Sequence, residues 1–383
     1  MLRKMHATRR ALQKLSALFV AGSLPVSFFL WEEHVAGAQD ELRSCVEVLD
    51  TGPLEKLPWG LAMGAHGQLA VARGKSVFVH DLNTGFVVKE ITTAAQLWHL
   101  FAFGDRATFD GVAFSPSGTV LAGSRLDGTI VFWSTATFAE VGRCAVSGRR
   151  DLGGVLRYSS NGKAIVATDG RRRVMLVDAA RMTLDRCVCT HADLVRCATL
   201  SSDAQWGASG ASDGELCIWE VGNTAAVRRV RASKLGIACV CFTNDGRFVL
   251  AGDQDHCATV WDTTTGERVG TFSGHTDTVK CICVLPDTDI AISGGWDGTI
   301  RAWSIATQVE LDVIKVATRD FSIVAMALAA DGGAIICGAM DGRVRRVRVS
   351  LAGEDGLHGH DVFCRPQGLD GDVLRHGLND ADR

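Results

Sequence analysis

His275, Ser293, Asp297 and Trp303 are the residues whose types and spacing first invite a chemical reading of this chain. The first three imitate a hydrolytic triad on paper, with a hydroxyl, an imidazole and a carboxylate in reach of one relay. The same four types recur 84 residues earlier, as His191, Ser209, Asp213 and Trp219, with identical mutual spacing. An enzyme needs one such site, not a copied one. The alternative fits both sets: a turn carboxylate accepts from the imidazole, the imidazole accepts from a strand hydroxyl, and the hydroxyl accepts from an indole N–H. Each set then satisfies its own buried polar groups while bracing two loops on a small sheet. We assign no catalytic residue and read all eight as structural tetrads. The chain carries no G-x-x-x-x-G-K-[ST], no H-E-x-x-H and no G-x-S-x-G, so phosphate-loop, zincin and nucleophile-elbow chemistry find no support. The Asp-Gly pairs at Asp110, Asp127, Asp213, Asp297, Asp331 and Asp341 read as tight turns, where Gly tolerates positive φ, and not as a calcium loop.

Such tetrads need short strands to hold them, and the sequence supplies these periodically. VKCICVL, IAISG, TIRAWS and QVELDVI are four short alternating runs separated by Pro-Asp, Trp-Asp-Gly and Ala-Thr turns. The residue closing the third run of each unit can be followed along the chain as His80, Trp133, Val177, Trp219, Trp261, Trp303 and Val347, mostly in steps of 42 to 44 residues after a first step of 53. With 42 Gly and few helix-length patterns after residue 45, this is an all-β repeat architecture.

A period of this length with Trp-Asp, Gly-His and turn signals resembles the WD-repeat β-propeller family over roughly residues 43–350, most closely over 190–305. The resemblance implies a seven-bladed ring of four-stranded antiparallel blades. Several positions depart from the pattern. Val177 and Val347 replace the Trp, His80 holds that place in the first unit, Ala251 stands where the Ser belongs before Trp261, and Gly123 does so before Trp133. The last unit is short of one strand, and Arg43 to Leu49 lies where a closing fourth strand is expected, which would abolish an exposed sheet edge.

The composition, 383 residues with net charge −3 and 47% hydrophobic residues, is ample for one large globular unit. It argues against a dedicated nucleic-acid binder while leaving local patches open. Of the 13 Cys, Cys197, Cys239 and Cys281 fall at equivalent first-strand positions, with Cys241 and Cys283 two residues on. They read as small apolar side chains between blades. A zinc site built from Cys239, Cys241, Cys281 and Cys283 fails on spacing, because Cys-x-Cys on a strand is not a Cys-x-x-Cys knuckle. The odd count and the lack of a compact framework indicate reduced thiols. No metal, no cofactor and no small-molecule substrate is expected.

Residues 1–40 stand outside the repeat as an N-terminal extension. They carry Arg3, Lys4, Arg9, Arg10 and Lys14 and no acid before Glu32. A secretory signal, a mitochondrial presequence and a retained amphipathic helix or upstream extension each fit this pattern. Pro25 and Gly22 disfavour a membrane span. Residues 352–383 are Gly- and Asp-rich and predict disorder. His358, His360, Cys364 and His376 in that tail lack rigid support for a metal. The expected setting is intracellular, cytoplasmic or nuclear, with mitochondrial import through residues 1–40 and secretion as the other readings.

Function is then expected from surfaces. In the propeller the connections from fourth to first strands and from second to third strands gather on one rim. Trp98, His99 and Phe101 from the long first-repeat insertion belong there, as do Leu126, Trp296 and Met340, each immediately before a turn Asp. Aromatic and apolar tips suit a binding hot spot. The insertion residues also fit as a plug for the ring. Arg125, Arg149, Arg150, Arg171, Arg172 and Arg173 supply basic charge to the same rim, suited to an acidic or phosphorylated peptide or, alternatively, to RNA. A solvated loop whose charge keeps the ring soluble fits them as well. The Phe-Arg-Arg-Gly signature of phosphoinositide-binding propellers is missing, and Thr263-Thr264 after Trp261-Asp262 breaks the Trp-Asp-x-Arg box of cullin-ligase adaptors. The reading is a non-catalytic scaffold for protein partners, with an RNA-associated ribonucleoprotein component as its rival.

Overall fold

The computed structural model describes residues 28–30, 46–49, 60–64, 67–82, 86–92, 108–146, 155–316, 322–329, 333–340 and 344–349. The regular structure there is all β, arranged as a seven-bladed propeller of antiparallel sheets. The blades occupy residues 60–92, 109–145, 156–190, 195–231, 237–273, 279–315 and 323–348, and within each the strands pair in chain order from the centre of the ring outward.

The sixth blade shows why these residues form these strands. Its second and third strands, Ile290–Gly295 and Thr299–Ser304, are mostly apolar apart from Ser293, Thr299, Arg301 and Ser304, and are almost wholly buried. Its outermost strand, Glu310–Lys315, alternates between buried and exposed from Asp312 onward and leaves half of its side chains in water. A strand sandwiched between neighbouring blades reads as a continuous apolar run, whereas a circumferential strand needs only one covered face.

Burial explains the closed ring. Seven hydrophobic clusters form the core, and each straddles two successive blades. Ala208, Leu216 and Ile218 of the fourth blade meet Ile237, Val249 and Trp261 of the fifth. Leu61, Leu69 and Val71 of the first meet Ala325, Ile336 and Val344 of the last. A single blade has no core of its own, so the faces are covered only when the last blade meets the first.

The last sheet carries two further strands from the N-terminal side. Val46–Leu49 runs antiparallel to Val344–Arg348, with Val46 opposite Val347 and Leu49 opposite Val344. Phe28–Leu30, in the stretch that sequence places outside the repeat, pairs with Val46–Leu49 in turn. Residues 43–45 of the expected closing strand lie outside the described residues.

Polar contacts fix the two faces of the ring differently. On one, first-to-second-strand turns are chained between blades: Ser160 Oγ donates to the Ser202 carbonyl, Ser202 Oγ to the Asn244 carbonyl at 2.5 Å, and Asn244 Nδ2 to the Leu285 carbonyl at 2.7 Å. On the other, in five of the blades, the second-to-third-strand turn is tied to the start of its own first strand. Leu126, Ser212, Gln254, Trp296 and Met340 donate their backbone N–H to the carbonyls of Thr108, Leu194, Gly236, Thr278 and Ser322. This second face carries the tetrads and, among the described binding candidates, Arg125, Leu126, Arg171, Arg172, Arg173, Trp296 and Met340.

Candidate interaction face

In the sixth blade the polar relay is complete. Trp303 Nε1 donates to Ser293 Oγ at 2.8 Å, Ser293 Oγ lies 2.8 Å from His275 Nε2, and His275 Nδ1 lies 2.9 Å from Asp297 Oδ2. An indole only donates and a carboxylate only accepts, so with a neutral imidazole the directions run from Trp303 to Asp297. Asp297 also accepts from the backbone N–H of Thr276 and Thr299 and from Thr299 Oγ1. Burial by itself would raise its carboxyl, but the His275 bond, the Thr276 amide and the Thr299 hydroxyl outweigh it and hold the group well below the usual carboxylate range. Phe272 of the fifth blade stacks on Trp303 with ring centroids 5.2 Å apart, so the indole is fixed by packing as well. Ser293 is fully buried among these partners, which leaves it no approach as a nucleophile.

The copy in the fourth blade departs from the expected tetrad. His191 Nε2 still meets Ser209 Oγ at 2.7 Å, but its Nδ1 faces Glu215 Oε2 at 3.0 Å in place of Asp213. Asp213 caps the turn by accepting from the Glu215 amide. Glu215 sits where the sixth blade has Thr299, and its longer side chain supplies the carboxylate. Trp219 Nε1 is buried without a hydrogen-bond partner among the described residues. The cause is Gly207, which replaces Ala291 of the sixth blade. With no Cβ there, the Trp219 indole lies over the strand backbone and misses Ser209. Two buried thiols join the group: Cys189 Sγ is 3.6 Å from Ser209 Oγ and Cys217 Sγ is 3.8 Å from His191 Nδ1. The Cys217 S–H bond, with help from His191 and Ser209, draws the Cys189 thiol below the usual range, while Cys217 is pushed up.

The fifth blade braces the same loops with a third chemistry. Ser233 takes the His position and donates to Asp255 Oδ2 at 2.9 Å, an oxygen that also accepts from the Lys234 and Leu235 amides. With Ala251 in place of the strand Ser, Trp261 Nε1 donates to Thr259 Oγ1 at 2.9 Å. The 42-residue offset could have located Ser233 and Asp255 from sequence.

The binding candidates are distributed unevenly. Trp98, His99, Phe101, Arg149 and Arg150 lie outside the described residues. Met340 is 42% exposed. Trp296 is half-buried, with Nε1 inside and unpartnered among the described residues, so it is no free aromatic tip. Leu126 is half-buried, and Arg125 is held by Asp127 at 3.0 Å. Arg171, Arg172 and Arg173 are exposed, yet Arg173 Nε is paired with Asp169 Oδ2 at 2.8 Å. Asp169 also accepts from the Arg171 and Arg173 amides, so this turn keeps a carboxylate, two residues before the place Arg171 occupies. Sequence reasoning missed Leu235, 49% exposed in the connection between the fourth and fifth blades beside exposed Lys234 and His256.

The first-strand thiols are packed as small side chains. Cys239 donates to the Val279 carbonyl and Cys241 to that of Phe242, and burial raises both, Cys241 to about 11.

A family model described as "WD domain, G-beta repeat" matches residues 106–134, 183–220, 226–262 and 266–304. The chain belongs to the WD-repeat β-propeller family. The three longer WD-repeat matches each run from the outermost strand of one blade to the third strand of the next. The sequence repeat is therefore offset from the structural blade, and successive blades share one unit. Blades closed by His80, Val177 and Val347 instead of Trp fall outside the complete matches. Ribosome biogenesis protein BOP1 of Rattus norvegicus is 49% identical to this WD-repeat chain over 41 residues, 11% of the chain and 6% of that protein. The Homo sapiens protein of the same name is 50% identical over 40 residues, 10% of the chain and 5% of that protein. The matched stretch thus spans a small fraction of either relative. Among the described residues, no helix is long and apolar enough to cross a membrane.

Proposed function

We propose that the chain is a non-catalytic platform that assembles protein partners on the face built by its second-to-third-strand turns and its inter-blade connections. One observation carries this reading. On that face Leu235 and Met340 stand exposed, and Arg171, Arg172, Lys234 and His256 stand exposed around the same rim. Apolar tips with peripheral positive charge suit a peptide segment that carries both an apolar anchor and acidic or phosphorylated side chains. The other large exposed apolar residues, such as Phe86, Val88, Val269 and Val313, lie on the circumference at outermost strands or their turns. In this reading the ring spans residues 43–350 with Val46–Leu49 as the fourth strand of its last blade, 1–40 and 352–383 are appendages, and the setting is intracellular.

The test is a comparative affinity purification of the full chain, an Arg171→Ala/Arg172→Ala variant and a Leu235→Ala/Met340→Ala variant. Partners lost from both variants, with unchanged thermal midpoints, support the reading. Identical partner sets in all three contradict it.

A second reading has its own support. The name shared by the two partial relatives concerns ribosome biogenesis, and exposed Arg171 and Arg172 could face a phosphate backbone. Salt separates the readings. A complex that weakens steeply between low and moderate salt favours RNA, whereas an apolar peptide contact responds weakly.

A further inference from the structure

Cys189 is the penultimate residue of the outermost strand of the third blade, Thr183–Thr190, and His191 follows that strand. Glu215 and Cys217 face them from the third strand of the fourth blade, Glu215–Glu220. The equivalent positions in the sixth blade are Ser273, His275, Thr299 and Arg301, so the fourth blade alone of this pair combines two thiols, an imidazole and a carboxylate at one point. Cys189, His191 and Cys217 are all buried, and their donor atoms lie within 4.8 Å of one another. His191 Nδ1 is 3.8 Å from Cys217 Sγ and 3.0 Å from Glu215 Oε2, which is 3.7 Å from Cys217 Sγ.

His191, Cys217 and Glu215 thus form one triangle of donors with edges of ligand-to-ligand length, and Cys189 Sγ lies within 4.8 Å of the His191 and Cys217 donor atoms. A four-coordinate zinc ion with Zn–S of about 2.3 Å and Zn–N of about 2.0 Å sets its sulfur and nitrogen ligands about 3.5 Å apart. The surroundings complete the argument. His191 Nε2 is held by Ser209 Oγ, which leaves Nδ1 as the ligating atom and fixes the ring plane. Ser209 Oγ also lies beside Cys189 Sγ, and Arg229 Nη1 sits 2.9 Å from Glu215 Oε2. Two thiolates and a carboxylate would leave one negative charge on a bound divalent ion, and Arg229 offsets it.

The geometry points to a structural zinc site formed by Cys189, His191, Cys217 and Glu215, which clamps the third blade to the fourth. Two soft thiolates with an imidazole, all three buried, and a half-buried carboxylate at the edge favour zinc over magnesium or calcium. Binding releases the thiol protons to solvent. The site also steadies the basic turn on the interaction face, because the His191 amide donates to the Arg172 carbonyl at 2.8 Å.

The experiment is metal analysis of the full chain, purified under reducing conditions and dialysed, beside Cys189→Ser, Cys217→Ser and Cys257→Ser. Cys257 serves as the control thiol, since it lies by Ser273 on the fifth blade. The wild type and Cys257→Ser are expected to keep about one zinc per chain, the other two to fall to near zero, and a cobalt-exchanged wild type to show the visible bands of a tetrahedral thiolate site. Should the ligand variants fail to fold, the wild-type cobalt spectrum and zinc protection of Cys189 and Cys217 against alkylation decide the matter. A folded, reduced wild type without stoichiometric zinc or cobalt bands overturns the proposal. So does zinc retained in both ligand variants, or a Cys189–Cys217 disulfide in protein purified without reductant.

Discussion

Trp219 lies so close over Gly207 that a Cβ built on the glycine would fall 2.3 Å from the indole Cε2. The contact separates two repeats that share His, Ser, Asp and Trp in register, because the sixth blade has Ala291 at the same place and its indole reaches Ser293. Gly207→Ala is therefore expected to force the ring to move and to destabilise the protein by roughly 1–3 kcal/mol, the usual range for overpacking. Chemical denaturation followed by far-UV circular dichroism measures it. An unchanged midpoint would show that the indole is not confined there.

The two strand serines should differ in worth. Ser293→Ala orphans both His275 Nε2 and Trp303 Nε1, whereas Ser209→Ala orphans His191 Nε2, since Trp219 does not bond it. Each buried group left unsatisfied costs about 1–3 kcal/mol, so the sixth-blade variant should be the less stable of the two by about one such increment. Equal losses would contradict the unequal bonding.

Acid should act through Asp297. Its carboxyl is held below the ordinary value in the folded chain, so the folded state binds its proton more weakly than the unfolded state does. The stabilisation is thus fully present above the ordinary Asp pKa of about 3.9 and is lost as pH falls further. Asp297→Asn is expected to lower stability at neutral pH and to flatten the acid limb of the stability curve. A parallel shift of the whole curve would assign the acid sensitivity to other carboxylates.

His256 adopts φ 68° in a turn whose counterparts are Gly128, Gly214 and Gly298 at φ 82°, 84° and 76°. Relief of that left-handed strain should make His256→Gly more stable by up to about 1 kcal/mol. The reverse change, Gly214→Ala, should destabilise more strongly, because its Cβ would meet the Ser233 and Leu235 carbonyl oxygens at 2.3 and 2.4 Å. Thermal denaturation of both variants checks the signs. Since His256 is exposed beside Leu235 on the candidate face, partner binding lost from a stabilised His256→Gly protein would mark a residue kept for contact.

The ring was legible because its signals are periodic. Trp219, Trp261 and Trp303 stand 42 residues apart, and each blade covers its neighbour, so an error in one unit is corrected by the next. The tetrads were legible as residue types and not as bonds. Whether Asp213 or Glu215 meets His191 depends on side-chain reach across a strand, and whether Trp219 meets Ser209 depends on the missing Cβ at Gly207. The thiol cluster was hidden for a similar reason. Cys189 and Cys217 come from different blades, 28 residues apart, and no local spacing rule joins them. Surface exposure was the least legible, since Trp296 folds inward and Arg125 and Arg173 are tied to carboxylates on their own turns. Leu235, which precedes no turn Asp, carried no signal beyond its place in a connection.

The claim that partners meet the turn-and-connection face is tested most directly by hydroxyl-radical footprinting of the full chain, alone and in its isolated complex. Protection concentrated at Leu235, His256 and Met340 is the predicted result. Protection confined to Phe86, Val88, Val269 and Val313 on the circumference, with that face unchanged, would contradict it.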